Sequence, residues 1–135
     1  MRLTPITIAT LLATAEAVLI TKPATGDTVD LSQNWEVCWT AVDTDPATFC
    51  LYLTNFIQYP PQIFSLLNQQ PVSRDAGCVT IPGTCYPASE LRTTYRVRAA
   101  VCGDPNTIFA ESGDFNVDQT TCPAASPKLR RAARL

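Results

Sequence analysis

The residues able to carry chemistry are few in this 135-residue sequence, and it contains no histidine. A Ser-His-Asp triad and a Cys-His pair are therefore excluded as nucleophilic centres. Only five glycines occur, none in a phosphate-cradling run. Paired carboxylates can hydrolyse a glycan, and the pairs to consider are Asp43 with Asp45 and Asp104 with Asp114. All four have an ordinary reading as solvated or turn-capping aspartates, so no catalytic residue is assigned. Arg96 and Arg98 alternate onto one face of a strand, where Tyr52 could join them in a sugar- or anion-binding patch. The plainer reading of that face is an exposed sheet surface with cross-strand ion pairs.

The remaining chemistry is sulfur. Cys38, Cys50, Cys78, Cys85, Cys102 and Cys122 follow a segment that reads as a signal peptide. Arg2 supplies its positive end, Leu3 to Thr14 its apolar stretch, and Ala15-Glu16-Ala17 a small-x-small cleavage site, so the cut is expected after Ala17. The apolar stretch is too short to span a membrane. An even cysteine count in an oxidising compartment implies three disulfides, with fifteen pairings open. There is no CxxC, so no metal site is expected, and no cofactor. The sequence has no N-x-S/T sequon.

Charge is unevenly placed. Between residues 18 and 122 five basic residues face eleven acidic ones, a net of −6. Residues 123–135 hold Lys128, Arg130, Arg131 and Arg134 and no acid. They read as a disordered basic tail. An acidic body is a poor match for nucleic acid, whose phosphates it repels.

These groups must be positioned by strands. Trp35, Val37 and Trp39 alternate with Glu36 and Cys38, and Phe49, Leu51 and Leu53 alternate with Cys50, Tyr52 and Thr54. Period-2 alternation on both sides of a polar turn predicts two half-buried strands. Further strands are expected at 18–21, 28–31, 77–81 and 91–101. An edge strand is expected at 62–67, after Pro60-Pro61. The stretch 68–76 reads as polar loop and Gly103-Asp104-Pro105-Asn106 as a turn. Residues 107–110 and 114–117 read as one final strand with a bulge at Ser112-Gly113. Seven or eight short strands without helical periodicity predict an all-β fold, two antiparallel sheets packed as one domain over 18–122.

A family resemblance rides on these same residues. Ile20, Pro23, Gly26, Val37, Trp39, Asp45-Pro46, Phe49-Cys50-Leu51-Tyr52-Leu53-Thr54-Asn55 and Tyr59-Pro60-Pro61 carry its first half. Tyr95-Arg96-Val97-Arg98-Ala99 and Ser112-Gly113-Asp114-Phe115 carry its second. The ordered set resembles the fungal Ser/Thr-rich GPI-anchored membrane protein family, whose domain is also the N-terminal domain of yeast cell-wall β-1,6-glucan synthesis proteins. The resemblance implies an immunoglobulin- or fibronectin-like sandwich with a role in wall assembly. Six cysteines are more than the simple pattern needs, and the sequence shows no Ser/Thr-rich stalk, GPI signal or C-terminal region of the glucan-synthesis proteins. The expectation is a small secreted member without the anchor. In an immunoglobulin-like order the start of the Cys50 strand lies opposite the end of the Cys102 strand, so Cys50–Cys102 is the preferred bridge. Cys78–Cys85 is then a local loop closure and Cys38–Cys122 the remaining pair.

The expected function is non-catalytic binding or organisation at the fungal cell wall or extracellular matrix, with wall polysaccharide or an extracellular protein as partner. The alternatives are an effector-like protein that binds a host protein and, weakest, a glycan-active enzyme.

Overall fold

A computed structural model of the chain describes residues 18–122. The signal peptide expected over 1–17 and the basic tail expected over 123–135 lie outside the described residues. The described part is a sandwich of strands: β1 (Leu19–Lys22), β2 (Thr28–Asp30), β3 (Trp35–Thr40), β4 (Thr48–Asn55), β5 (Gln62–Ser65), β6 (Val72–Ser73), β7 (Cys78–Ile81), β8 (Thr94–Val101), β9 (Asp104–Glu111) and β10 (Phe115–Asp118).

One sheet has the order β1-β3-β7, and the other β2-β10-β8-β4-β5. Ten strand segments replace the seven or eight expected, because the chain lying along one side of β4 and that along one side of β8 are each made of two pieces. β6 and β5 follow one another along β4, and β9 and β10 along β8. The break along β8 falls at Ser112-Gly113, where the sequence placed a bulge. There Ser112 N–H donates to Val97 O at 2.8 Å, and Val97 N–H donates to Ser112 Oγ at 2.9 Å. A Cβ at Gly113 would overlap the Thr25 side chain, so only glycine lets the β1–β2 turn pack here. That turn moves the chain from one sheet to the other. β1 is antiparallel to β3, while β2 runs parallel to β10, the one departure from an antiparallel sandwich among the described strands. The expected turn over residues 103–106 is tighter than expected: Val101 pairs with Asp104 across Cys102-Gly103, with Gly103 at φ +82°. The expected polar loop 68–76 holds β6 between two short turns, at Leu67–Gln69 and Arg74–Ala76.

The core lies between the sheets. Ile20, Val37, Trp39 and Ile81 face Phe49, Leu51, Leu53, Val97, Ala99 and Phe115. The Trp39 and Phe49 rings meet edge-on, 5.3 Å apart, a favoured aromatic geometry. Trp39 Nε1 donates to Arg74 O at 2.8 Å. Tyr95, at the start of β8, accepts from Arg92 N–H at 2.9 Å through its hydroxyl and donates to Gln62 Oε1 at 2.6 Å. This is the tyrosine corner of immunoglobulin-type sandwiches.

Three disulfides use all six cysteines. Cys50–Cys102 joins β4 to the β8–β9 turn, as expected. The other two pairs differ from expectation: they are Cys38–Cys78 and Cys85–Cys122. Cys78 is the first residue of an extended β7 that ends at Ile81, so at roughly 3.4 Å per residue the strand carries the chain about 10 Å away before Cys85 is reached. Cys78 instead stands directly opposite Cys38 in the β3–β7 ladder, with their Cα atoms 4.0 Å apart. Cys85, in the β7–β8 loop, is left for Cys122 after β10, and the Gln119 side chain reinforces that junction by bonding both N–H and O of Tyr86.

Asp30 ties the same end together. Its carboxylate accepts from Ser32 and Thr120, through backbone N–H and hydroxyl of each. These bonds pull its pKa from 3.8 down to about 2, the side-chain bond from Ser32 contributing most. Because the folded value is the depressed one, the ionised carboxylate stabilises the fold at neutral pH, and that contribution is lost as pH falls from about 4 towards 2. Asp30→Asn should therefore be less stable than wild type in urea at pH 7 and should converge with it near pH 2. A gap that persists unchanged at pH 2 would contradict this role.

Candidate functional site

The residues singled out in the sequence turn out to be structural. Asp45 closes the β3–β4 turn: its carboxylate accepts from Val42 N–H at 2.8 Å. Arg74 reaches over to bind the carbonyls of Asp43 and Asp45, each at 2.7 Å. Asp104 opens β9 by accepting from Asn106 N–H and Thr107 Oγ1. Asp114 pairs with Arg96 at 2.7 Å, which is the leading cause of a raised pKa at that arginine. Among the described residues no group of three or more His, Cys, Asp or Glu side chains is placed to hold a metal ion.

Of the patch of Arg96, Arg98 and Tyr52, Arg96 is exposed and paired with Asp114 and Glu111, while Arg98 and Tyr52 are buried. Alternation placed Cys50, Tyr52 and Thr54 on the outer face of β4, yet all three are buried. Cys50, Tyr52 and Ala100 form a small second core. The turn at Leu67–Gln69 brings Gln69 over this face, where its Oε1 accepts from Tyr52 hydroxyl at 3.1 Å and from Gly103 N–H at 3.1 Å. Arg98 is only 6 % exposed. It pairs with Glu111 at 2.8 Å, donates to Pro105 O at 3.0 Å and lies 4.7 Å from the centre of the Phe56 ring. A guanidinium so fully engaged has nothing left for a ligand, and the ion pairs to Glu111 and Asp114 are those of the plainer reading of this face, with Tyr52 and Arg98 buried where that reading had them exposed.

What the outer face does support is the loop between β4 and β5. Phe56 is 50 % exposed, Ile57 66 % and Tyr59 92 %. Apolar side chains this open usually sit on a slack loop, but this one is braced. Asn55, buried at the end of β4, accepts from Ile57 and Gln58 N–H through Oδ1 and donates to Thr94 O at 2.8 Å. Arg92 donates to Gln58 O and, at 2.6 Å, to Pro60 O. Asn55 and Arg92 thus hold an apolar tip in one shape, which lowers the entropy cost of binding through it. The sequence signal was present in Phe56 to Pro61, an apolar run that neither alternates nor can continue a central strand. In the sequence it reads as the approach to an edge strand; in the structure it is a surface.

A profile of the Kre9/KNH-like N-terminal Ig-like domain matches residues 22–117. An uncharacterized protein of Schizosaccharomyces pombe is 33% identical over 107 residues, which are 79% of this chain and 29% of the relative. A GPI-anchored membrane protein of Aspergillus fumigatus is 27% identical over 129 residues, 95% of this chain and 57% of the relative. The chain thus spans less than two thirds of the length of either relative. The match runs from the end of β1 through β10 and takes in both sheets, the Ser112-Gly113 junction and the tyrosine corner, so the chain belongs to the Kre9/KNH-like N-terminal Ig-like domain family.

Proposed function

We propose that this protein is a secreted, non-catalytic β-sandwich that acts at the fungal cell wall or extracellular matrix and binds wall polysaccharide through the Phe56–Pro61 loop. In this reading residues 1–17 are a signal peptide, 18–122 the sandwich and 123–135 a basic tail. No cofactor takes part. The family supports the setting, and among the described residues no helix is long and apolar enough to cross a membrane. The observation that carries the reading is the braced loop, which holds Tyr59 almost wholly in solvent. A rigid aromatic ring presents a flat apolar face to the C–H face of a sugar and loses little freedom on contact.

The protein should be retained on insoluble β-glucan or chitin. Replacing Ile57 and Tyr59 together by serine should lower the retained fraction by about tenfold, with no loss of stability because both side chains are exposed. No retention of wild type on either polymer, or equal retention of the variant, would overturn the reading. The aliphatic exposure of Ile57 and Ile63 favours a second reading, a protein partner such as a host protein. Capture of one such partner by wild type and not by the double variant would support it.

A further inference from the structure

The flank where the first strand changes sheets holds a groove of about 360 Å³ that the loop reading does not use. Trp35 lines it together with Lys22, Asp27, Gln33, Asn34 and Glu36. The two tryptophans of β3 differ in a telling way. The Trp39 indole N–H is bonded to Arg74 O inside the core. The half-buried Trp35 ring rests against Phe115 at 6.3 Å, and its N–H has no hydrogen-bond partner among the described residues. Trp35 also lines a second groove of about 290 Å³ beside Leu66 and Tyr86. A half-buried indole in a groove lined by amides and carboxylates suits a ligand that is flat and apolar on one face and hydroxylated at its edges.

Charge narrows the class. Three carboxylates, of Asp27, Asp30 and Glu36, stand against the single ammonium of Lys22, so a phosphate or an acidic sugar is repelled. A cation fares little better. Glu36 already pairs with Lys22 at 3.3 Å, Asp30 is held by Ser32 and Thr120, and Asp27 accepts from Ala24 N–H. These groups can still accept from hydroxyls, and the amides of Gln33 and Asn34 can donate to them. We propose that the groove binds a neutral saccharide, with Trp35 as its platform and hydrogen-bond donor. The site is separate from the loop: β2 and β5 are opposite edges of one sheet, four interstrand spacings or roughly 19 Å apart. The inference shares its ligand class with the loop reading and nothing else, and the two sites together would let one molecule grip a long polymer at two places or join two chains.

The indole N–H resonances of Trp35 and Trp39, followed by NMR in the whole chain, separate the possibilities, with Trp35→Phe providing the assignment. Titration with soluble β-linked gluco-oligosaccharides and chito-oligosaccharides should shift the Trp35 resonance and leave Trp39 in place, in wild type and equally in the Ile57→Ser/Tyr59→Ser variant. Gln33→Ala should weaken this binding by about fivefold, and Trp35→Phe, which keeps an aromatic ring but removes the donor, by a similar factor. Saccharide binding that moves loop resonances and not Trp35 would overturn the groove and spare the loop. A Trp35 shift produced by a lysine-rich peptide and not by saccharides would also overturn it, and no binding at either place would defeat both readings.

Discussion

Trp39→Ala should lower the unfolding free energy by about 3–5 kcal/mol, the range for truncating a large buried aromatic. Three features of this site place the expected value in the upper part of that range. The ring fills the space against Phe49, 5.3 Å away across the two sheets. Its N–H satisfies Arg74 O, a carbonyl that the truncation would leave without that donor. No disulfide runs through the intersheet core, so apolar packing and this hydrogen bond join the sheets there without a covalent tie. Trp39→Phe should cost less, since it keeps most of the ring while giving up the hydrogen bond, worth about 1 kcal/mol. Urea unfolding of the two variants checks both values. A loss below about 1 kcal/mol for the alanine variant would mean that the core collapses around the gap and that Trp39 is not its keystone. A domain stable by 5–15 kcal/mol in total feels this change as a large fraction of its margin.

The second large effect is expected from Cys50→Ala combined with Cys102→Ala. The bridge spans 52 residues, and closing a loop of that size restricts the denatured chain by on the order of 4 kcal/mol. Cys50 is also fully buried against Tyr52 and Ala100, so the variant loses packing as well as a covalent tie. The expected cost is about 4 kcal/mol, measured as the shift in denaturant midpoint with the slope compared between variants. Loss of Cys38–Cys78 or Cys85–Cys122, with sequence separations of 40 and 37, should cost less: Cys78 and Cys85 are exposed and Cys38 and Cys122 only partly buried, whereas Cys50 brings a wholly buried sulfur into a second core. If removal of Cys50–Cys102 proved the mildest of the three, the packing part of this account would be wrong.

The sequence foretold the elements whose causes are local. The alternation from Trp35 to Trp39 and from Phe49 to Leu53 placed these side chains in the core because a strand has only two faces and large apolar groups choose the buried one. The Ser112-Gly113 break was legible because glycine in a strand usually marks a bulge or a close approach. The second face of β4 was not legible. Alternation treats the face opposite the core as wet, whereas here Gln69 and Phe56 fold back over Tyr52 and Arg98 from segments that carry no strand signal. For the same reason Arg98 reads as an exposed partner in a cross-strand ion pair, whereas it is buried between Glu111 and Pro105. The Cys38–Cys78 pairing is not legible in the sequence because it follows from ladder register and not from proximity along the chain, and only the paired strands reveal that register. Of the candidate sites, the apolar run at Phe56 was visible but not its bracing by Asn55 and Arg92, and Trp35 was visible only as a core residue.

The parallel pairing of β2 with β10 has a mechanical meaning. Thr28, Val29 and Asp30 stand beside Asn116, Val117 and Asp118, one strand near the start of the sandwich and the other near its end. A pull applied to the chain before β2 and after β10 drags these strands past each other lengthwise. The rungs between them then carry the load together, as a lap joint does, instead of opening one at a time like a zipper. The Cys85–Cys122 bridge lies just beyond β10, so force entering from that side is also shared with the β7–β8 loop.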